Sequence, residues 1–361
     1  MKILVVHASA GAGHRKAAEA LYHDLKSTAD KDVLLADVLD HTSPFYKRTY
    51  QKTYTFLVTK LPFLWAFFFA LTDHPCLRPL VKWLRRLVNH FNAWPFECCL
   101  KEKNFDYILS THFFPNEVAA FLKNKGAIRS KIISVITDFD VHSLWLADGI
   151  DDYTVACEHT KEKLIRLGVS EEKIAITGIP TDKKFSHEPD KDELKNRLQI
   201  KKDIFTVLIA TGSFGIGPIE RIVDGLKDYQ VLIVCGNNKA LFLRLSQVKS
   251  VLVKVYGLVD NMDELMSAAD IMITKPGGLS VSEALVKSLP LIFFSAIPGQ
   301  ETNNVKVLHR YGVGREGCSI PEIVQEVKKL DSSKEYFQQA RQNARRLAKP
   351  TASRDIIKLI S

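Results

Sequence analysis

Two glycines stand before a predicted helix in the stretch Asp270–Asn304, and a glutamate follows them one turn into that helix. Gly277 and Gly278 come after a short apolar segment, and the helix is predicted to begin near Ser280. Glycines at this place let phosphates approach backbone N–H groups and the positive end of the helix dipole. The carboxylate of Glu283 can accept hydrogen bonds from a pair of sugar hydroxyls, such as those of ribose. The pattern therefore predicts a site for a sugar nucleotide.

A polar loop follows the next buried strand, which is predicted at 291–294. Gln300 and Glu301 lie in this loop, and Asn304 comes shortly after it. The loop is placed to reach a second sugar. Glu283 alone is equally typical of an ordinary surface glutamate, so its interpretation depends on the whole series of residues.

Two further turns in the second half of the chain suit other parts of a nucleotide. Gly212 and Ser213 follow a predicted strand at 204–210, where backbone N–H groups can bind phosphate. Many strand–helix turns carry Gly and Ser, so this signal is weak by itself. The main chain near Leu258 and Val259 closes another strand and can contact the edge of a base.

A glycine-rich turn also follows the first predicted strand, residues 2–7, and it ends in Gly13 and His14. The turn is not a dinucleotide fingerprint, because Lys16 stands where the third glycine is needed, and it lacks the GK[ST] ending of a P-loop. A histidine at a helix N-terminus, on the carboxyl edge of a parallel sheet, can act as a general base near neutral pH. His14 can equally cap the helix or bind a phosphate oxygen, so these interpretations stay open.

An acid, a histidine and an aromatic residue follow the predicted strand 132–136: they are Asp138, His142 and Trp145. Ligand clefts in α/β proteins open at the carboxyl ends of parallel strands. Asp138 can therefore orient a histidine or serve as the base itself. Capping of the next turn explains an aspartate at this position equally well.

Composition limits the class of protein. The chain has 361 residues, 46% hydrophobic and 25% charged, which is enough for about two globular domains and argues against disorder. Its net charge of +9 favours an anionic partner such as a nucleotide, a nucleic acid or an acidic membrane. Six cysteines without a CxxC pair or zinc spacing fit a reducing cytoplasm. The N-terminal apolar run is too short for a signal peptide and is predicted to be the first strand.

Residues 45–105 differ in composition from the rest of the chain. Ten Lys or Arg stand against three acids there, so the segment carries +7 of the chain's +9 and is also rich in aromatic residues. The apolar run 61–71 is well short of the ~20 residues that span a bilayer. Basic, aromatic segments of this kind are typical of helices that lie in the membrane interface. A helical insertion whose aromatic residues form core is the alternative.

Elsewhere, predicted strands and helices alternate, which indicates an α/β fold with parallel sheets. A charged stretch at 186–203 without apolar periodicity predicts a domain boundary. We expect an N-terminal domain at 1–186 that carries the insertion 45–105, and a C-terminal domain at 187–332. A helical tail at 333–361 is expected to pack back toward the N-terminal domain.

Together these motifs resemble glycosyltransferase family 28, whose members have the GT-B fold, and in particular the monogalactosyl- and glucosyl-diacylglycerol synthases. The similar segments are TDFxxHxxW (137–145), TGIP (177–180), VCGNNKAL (234–241), ADIMITKPGG (269–278) and PGQExxN (298–304). The resemblance covers nearly the whole chain. It implies two Rossmann-like domains whose parallel sheets face a cleft. Plant members carry an acid shortly before the glycine–histidine turn, where this chain has Ser9.

The resemblance also implies roles for the matching residues. The residues expected to bind the UDP-sugar donor are Gly212, Ser213, Val259, Gly277, Gly278, Glu283, Gln300, Glu301 and Asn304. His14 and Asp138 are expected to be catalytic. The residues expected at the acceptor or the membrane are Gly13, Trp65, Phe68, Lys82, Arg85, Arg86, His142 and Trp145.

The function expected from these features is the inverting transfer of a hexose from a UDP-sugar to diacylglycerol. The protein is expected to act as a peripheral protein on the cytoplasmic face of the cell membrane, in contact with anionic lipids. No tightly bound cofactor or metal is expected, because backbone N–H groups can stabilise the leaving diphosphate and no DxD-type motif is obvious. A polyprenyl-linked acceptor and a UDP-sugar 2-epimerase remain alternatives. Nucleic-acid binding is disfavoured, because the excess charge clusters in an aromatic insertion. The choice between UDP-glucose and UDP-galactose is left open, as is the oligomeric state.

Overall fold

Two compact units make up the chain. The computed structural model describes residues 1–9, 11–27, 31–212, 215 and 217–360. The first unit contains Met1–Asp182, Ile297–Asn303 and Thr351–Ser361, and the second contains Lys183–Ala296 and Asn304–Pro350. The domain boundaries expected from the sequence, after residues 186 and 332, stay predictions.

A six-stranded parallel sheet forms the first unit's centre. Its strands are β1 (Lys2–His7), β2 (Asp32–Asp37), β3 (Tyr107–Ser110), β4 (Lys131–Val135), β5 (Asp152–Val155) and β6 (Ile174–Ile176). Their order is β2-β1-β3-β4-β5-β6, so the chain reverses its direction across the sheet between β1 and β3. Such a reversal is where open α/β sheets bind ligands, at the carboxyl ends of the strands.

The second unit repeats this architecture with another six-stranded parallel sheet. Its strands are β7 (Thr206–Ala210), β8 (Gln230–Val234), β9 (Val253–Tyr256), β10 (Ile271–Thr274), β11 (Leu291–Phe293) and β12 (Arg315–Glu316). The order β12-β11-β10-β7-β8-β9 places the reversal between β7 and β10. The predicted Gly212 and Gly277 turns follow these two strands, so both lie at the edge where a ligand is expected.

Helices connect the strands in both units. In chain order they are α1 (Ala12–Ser27), α2 (Pro44–Lys60), α3 (Pro62–Asp73), α4 (Arg78–Asn92), α5 (Trp94–Lys103), α6 (Phe113–Asn124), α7 (Glu158–Arg166), α8 (Lys191–Arg197), α9 (Ile219–Gly225), α10 (Lys239–Leu245), α11 (Met262–Ala268), α12 (Gly278–Val286), α13 (Gln300–Arg310), α14 (Ile320–Ser332), α15 (Lys334–Leu347) and α16 (Ala352–Ile357). Within the second unit, α15 packs against α12 and α14, and within the first unit α16 packs against α1.

Continuous apolar strands explain why both sheets are parallel and internal. Every residue of β7 and of β8 is buried, as are Ile3–Val6 of β1. Strands that are apolar on both faces need helices on each side, and the alternating helices supply them. The predicted α/β class with parallel sheets is therefore confirmed. The sequence did not predict β12, because this two-residue edge strand is exposed and carries no apolar signal.

The insertion forms α2–α5, and α2 packs against the core only through partly buried side chains such as Tyr46 and Tyr50. Neither α2 nor α3 contains a buried residue. Phe45 and Phe63 are 81% and 82% exposed. The other large apolar side chains exposed in this segment are Phe56, Leu61, Leu64, Phe67, Phe68, Leu71, Leu80, Trp83, Leu84, Leu87, Val88, Phe91 and Trp94. A buried aromatic core therefore does not explain the many exposed apolar side chains of α2 and α3.

Across the described residues, no single helix combines the length and apolar character needed to cross a bilayer. The pair α2 and α3, bent by 114°, meets the length and composition criteria only when the two are taken together.

Candidate active site

His14 lies in the first turn of α1, just after the carboxyl end of β1. Its Nδ1 atom is 2.7 Å from the carbonyl oxygen of Thr111 and 2.8 Å from the hydroxyl of Thr137. Thr111 in turn donates its hydroxyl hydrogen to the His14 carbonyl at 2.8 Å. Both threonines follow neighbouring strands, β3 and β4, so the carboxyl edge of the sheet holds the imidazole ring.

These contacts define the tautomer of His14. A carbonyl oxygen can only accept a hydrogen bond, so Nδ1 is assigned as the protonated nitrogen and Nε2 carries the lone pair of the neutral ring. Burial lowers the pKa of His14, while the charge of Asp138 and the Thr111 carbonyl act in the opposite direction. A neutral imidazole with Nε2 unprotonated can accept a proton near neutral pH.

The loop after β4 carries Asp138, and α7 holds this loop in place. Lys163 binds both carboxylate oxygens of Asp140 at 2.8 and 3.0 Å, and Thr160 donates to the carbonyl of Phe139 at 2.6 Å. Asp138 itself is only 7% exposed. The Asp138 carboxylate lies close enough to His14 for its charge to raise the pKa of the imidazole.

His142 links the same loop to α3. Its Nε2 atom is 2.8 Å from the carbonyl oxygen of Phe69, and its Nδ1 accepts the backbone N–H of Leu144 at 3.0 Å. The Phe69 and His142 rings also lie 4.2 Å apart, centroid to centroid. Burial lowers the pKa of His142, and the charge of Asp73 opposes that effect. Both ring nitrogens of His142 therefore have partners in the protein, which suits a structural link better than a base.

A small cavity of about 90 Å³ brings the predicted catalytic and acceptor residues together. His14, Asp138, His142, Trp145 and Gln300 line it. Its remaining wall is largely aromatic and includes Tyr50, Tyr54, Trp65, Phe69, His112 and Phe113. Burial raises the pKa of Tyr50 and Tyr54, so both phenols stay protonated. The cavity thus combines a candidate base with walls that suit an apolar alcohol.

The sequence analysis missed most of this aromatic wall. Tyr50 and Tyr54 stand four residues apart on α2, and Trp65 and Phe69 stand four residues apart on α3. This spacing places the two residues of each pair on one face of their helix, so the sequence contained a signal for an aromatic surface. Of the predicted lipid-facing residues, Trp65 lines the cavity, whereas Phe68 is 45% exposed on α3.

Gln300 begins α13 and belongs to the first unit. Its side-chain amide donates to the Asp138 carboxylate at 2.9 Å. The Glu301 carboxylate accepts the backbone N–H of Ile297 at 2.7 Å and so closes its own loop. Sugar contacts of these two residues stay predictions.

In the second unit, the turn after β10 leads directly into the N-terminus of α12. Gly277 caps α12, which begins at Gly278, two residues earlier than expected. A Cβ atom built on Gly277 meets no atom within 4 Å, so the space beside the helix N-terminus is open. Asn304 is fully buried and donates to the Pro276 carbonyl at 3.1 Å, which fixes the turn from behind.

Other predicted donor residues lie along the same sheet edge. Glu283 is partly exposed on α12, and Val259 is partly exposed after β9. Gly212 has a φ of +74°, a conformation that favours glycine, and a Cβ there would meet no atom of the described residues within 4 Å. Ser213 lies outside the described residues.

A second, larger cavity of about 540 Å³ lies in the first unit beside α4. Its cationic lining residues are Arg78, Lys82, Arg85, Arg86 and Lys173, against the two carboxylates of Glu117 and Asp148. Arg85 forms a 2.6 Å ion pair with Glu117 and donates to the Leu144 carbonyl at 3.2 Å. Lys82 and Arg86 both face Asp148. The excess of positive charge makes this cavity suited to an anion.

Among the residues that the structure describes, no group of three or more His, Cys, Asp or Glu side chains is arranged to hold a metal ion.

Gly13 lies beside His14 in the first turn of α1.

Family profiles match both halves of the chain. The profile described as monogalactosyldiacylglycerol (MGDG) synthase matches residues 14–181, and that of the glycosyltransferase family 28 C-terminal domain matches residues 206–360. The first match contains both His14 and Asp138, and the second contains Gly277 and Glu283. Each match therefore contains candidate residues of one unit.

Two solved structures share the fold. MurG of Acinetobacter baumannii superposes with a TM-score of 0.64 at 14% identity, covering 99% of both chains. The Anabaena protein HepE in complex with UDP-glucose gives 0.59 at 14% identity, covering 100% of this chain and 99% of that one. These likenesses are to glycosyltransferases of the GT-B class, so the predicted GT-B fold is confirmed.

A curated relative extends the match along most of the sequence. The processive diacylglycerol beta-glucosyltransferase of Bacillus cereus (strain G9842) is 31% identical over 322 residues, which cover 86% of this chain and 80% of the relative. Together with the two family profiles, this similarity shows that the chain belongs to glycosyltransferase family 28, among the monogalactosyl- and glucosyl-diacylglycerol synthases.

Proposed function

We propose that this enzyme transfers a hexose from a UDP-sugar to the free hydroxyl of diacylglycerol, with inversion at the anomeric carbon. The observation that carries the proposal is the cavity in which His14 and Asp138 meet an aromatic wall. The relative of Bacillus cereus is a processive diacylglycerol beta-glucosyltransferase, which supports the same acceptor for this chain. A polyprenyl-linked acceptor and a UDP-sugar 2-epimerase are the alternatives.

The acceptor hydroxyl would lie near the Nε2 atom of His14. The unprotonated nitrogen takes the hydroxyl proton as the oxygen attacks the anomeric carbon from the face opposite UDP. The Asp138 carboxylate stabilises the imidazolium that forms, because an opposite charge nearby favours the protonated ring. The alternative, in which Asp138 is the base, uses the same cavity.

The leaving diphosphate carries the charge that develops during transfer. In the second unit, Gly277 and the N-terminus of α12 offer backbone N–H groups and the positive end of a helix dipole to that charge. Glu283 would accept hydrogen bonds from the ribose hydroxyls, and main chain near Val259 would contact uracil. Gly212 lies at the carboxyl end of β7 and would border the same phosphates.

We infer that the enzyme lies peripherally on the cytoplasmic face of the membrane, and the exposed side chains of the insertion support the membrane contact. Phe63, Phe67 and Trp83 are largely exposed, and burying such side chains in the lipid interface is favourable. The cavity that Lys82, Arg85 and Arg86 line would receive the phosphate of an anionic lipid. Arg85 is the innermost of the three, because its side chain is paired with Glu117.

The proposed function is tested by incubating the purified protein with diacylglycerol vesicles and, separately, UDP-glucose, UDP-galactose and UDP-N-acetylglucosamine. We expect a glycosylated diacylglycerol with one of the two hexose donors, identified by mass spectrometry. The anomeric configuration of the product, read by NMR, tests inversion. Conversion of UDP-N-acetylglucosamine to UDP-N-acetylmannosamine, without lipid product, would identify an epimerase instead.

We expect Glu283→Ala to weaken UDP binding by about 10- to 100-fold, since a hydrogen bond to a charged group contributes about 1.5–3 kcal/mol. Calorimetric titration with UDP measures this change. Glu335→Ala removes an exposed carboxylate from the first turn of α15 and should leave UDP affinity unchanged. Equal UDP affinity in the wild-type and Glu283→Ala proteins would refute the ribose role.

The pH dependence should report the charge of Asp138. In Asp138→Asn, the charge that raises the pKa of His14 is lost while burial still lowers it. The pKa of His14 therefore falls further, and the acid limb of kcat/KM moves to lower pH, because the neutral base persists there. Measurement of the residual activity across pH checks the direction. An acid limb that moves to higher pH would show that His14 is not the group that titrates.

A further inference from the structure

A hydrogen bond joins Gln300 and Asp138, and in the proposed function each of these residues acts on a different substrate. Gln300 is expected to contact the donor hexose, and Asp138 to act beside the acceptor hydroxyl. The amide nitrogen of Gln300 donates to Asp138 Oδ2 at 2.9 Å, across 162 positions of sequence. Both side chains line the 90 Å³ cavity.

Contacts within the first unit hold the backbone next to Gln300 in place. Gly299 has a φ of +91°, and a Cβ there would lie 3.0 Å from the ring of Phe69. The N–H of Gly299 donates to the Thr302 hydroxyl at 3.0 Å. Phe69 also contacts His142, so one aromatic ring supports both the Gln300 loop and the loop after β4.

The chemistry of a primary amide allows two contacts at once. One N–H of Gln300 binds Asp138, while the carbonyl oxygen and the second N–H remain able to bind a sugar hydroxyl. A donor hexose that engages the same amide would thereby fix its orientation. The carboxylate would then be held in the geometry that it needs beside His14.

We propose that Gln300 is a positioning residue that couples donor binding to the catalytic carboxylate Asp138. This inference rests on the proposed function and adds a role that donor recognition alone does not include. Without donor, the amide holds Asp138 only through one hydrogen bond. With donor, the amide bridges hexose and carboxylate, so Asp138 is fully oriented only when a hexose is present.

A double-mutant cycle tests the coupling, using Gln300→Ala, Asp138→Asn and the double variant. We expect Gln300→Ala to lower kcat by about 10- to 100-fold, as loss of a hydrogen bond to a charged group predicts. In the Asp138→Asn background the same substitution should lower kcat less than threefold, because its target is already altered. Asn303→Ala, in the first turn of the same helix α13, is the matched control and should keep near-normal kcat.

A second measurement separates positioning from plain sugar binding. Gln300→Glu keeps the length of the side chain but places a negative charge beside Asp138 and His14. That charge favours the imidazolium, so the acid limb of kcat/KM should move to higher pH, opposite to the shift expected for Asp138→Asn.

If Gln300 only binds the hexose, Gln300→Ala raises the KM for the donor equally in both backgrounds, and the costs in kcat/KM are additive. That outcome, or an unshifted acid limb in Gln300→Glu, overturns the inference while leaving the proposed function intact. A wild-type protein that transfers no hexose to diacylglycerol overturns the proposed function, and the coupling falls with it.

Discussion

His14→Ala should lower turnover by about 10²- to 10⁴-fold, the usual contribution of a general base. The imidazole is held by the Thr111 carbonyl and the Thr137 hydroxyl, with Nε2 left to take the acceptor proton. The measurement is single-turnover transfer from UDP-sugar to diacylglycerol in vesicles. UDP affinity should stay close to the wild-type value, because His14 belongs to the first unit and the predicted nucleotide residues are in the second.

His14→Gln is the informative companion to the alanine variant. Its amide can keep a hydrogen bond to Thr111 but cannot take a proton near neutral pH. We expect it to be as slow as His14→Ala, with an unchanged melting temperature. Near-normal turnover in either variant would exclude His14 as the base and leave Asp138 as the candidate.

Replacing Phe63, Phe67 and Trp83 together by serine should reduce partitioning onto anionic vesicles by at least about 100-fold. Full burial of a large apolar side chain is worth about 1.5–3 kcal/mol, so even partial insertion of three of them exceeds this factor. All three are more than half exposed in the insertion helices α3 and α4, so the substitutions remove little packing. Vesicle sedimentation measures the partitioning.

The second unit offers a matched control for this experiment. Leu243 and Val251 are 63% and 84% exposed there, outside the insertion. Their replacement by serine removes exposed apolar surface without touching α2–α5. Vesicle binding should then be unchanged. Equal loss of binding in both variants would indicate nonspecific hydrophobic binding. Unchanged binding in the triple variant would show that the insertion does not mediate membrane binding.

The strands were predictable because they are continuous apolar runs. β1, β7 and β11 begin and end within two residues of the sequence prediction, and the turns after them fall at the expected sheet edges. Parallel strands buried on both faces give a strong signal that does not depend on distant contacts. The exposed pair of residues in β12 gives none.

The candidate site was predictable only in part. Motif position placed His14 and Asp138 at one sheet edge, because that edge is a rule of parallel sheets. The direction of individual side chains was not predictable. Arg85 was expected at the acceptor or the membrane, but its guanidinium is directed to Glu117. Gln300 binds a residue 162 positions away, and a contact of that kind depends on tertiary packing that periodicity does not describe.

Phe69 contacts His142 on one loop and Gly299 on another, while its helix α3 carries the exposed Phe63 and Phe67. Any displacement of α3 therefore moves the supports of both loops at once. If contact with the lipid surface determines the position of α3, the protein should hydrolyse UDP-sugar only slowly when no membrane is present. The rate of donor hydrolysis, measured with and without vesicles, tests this expectation.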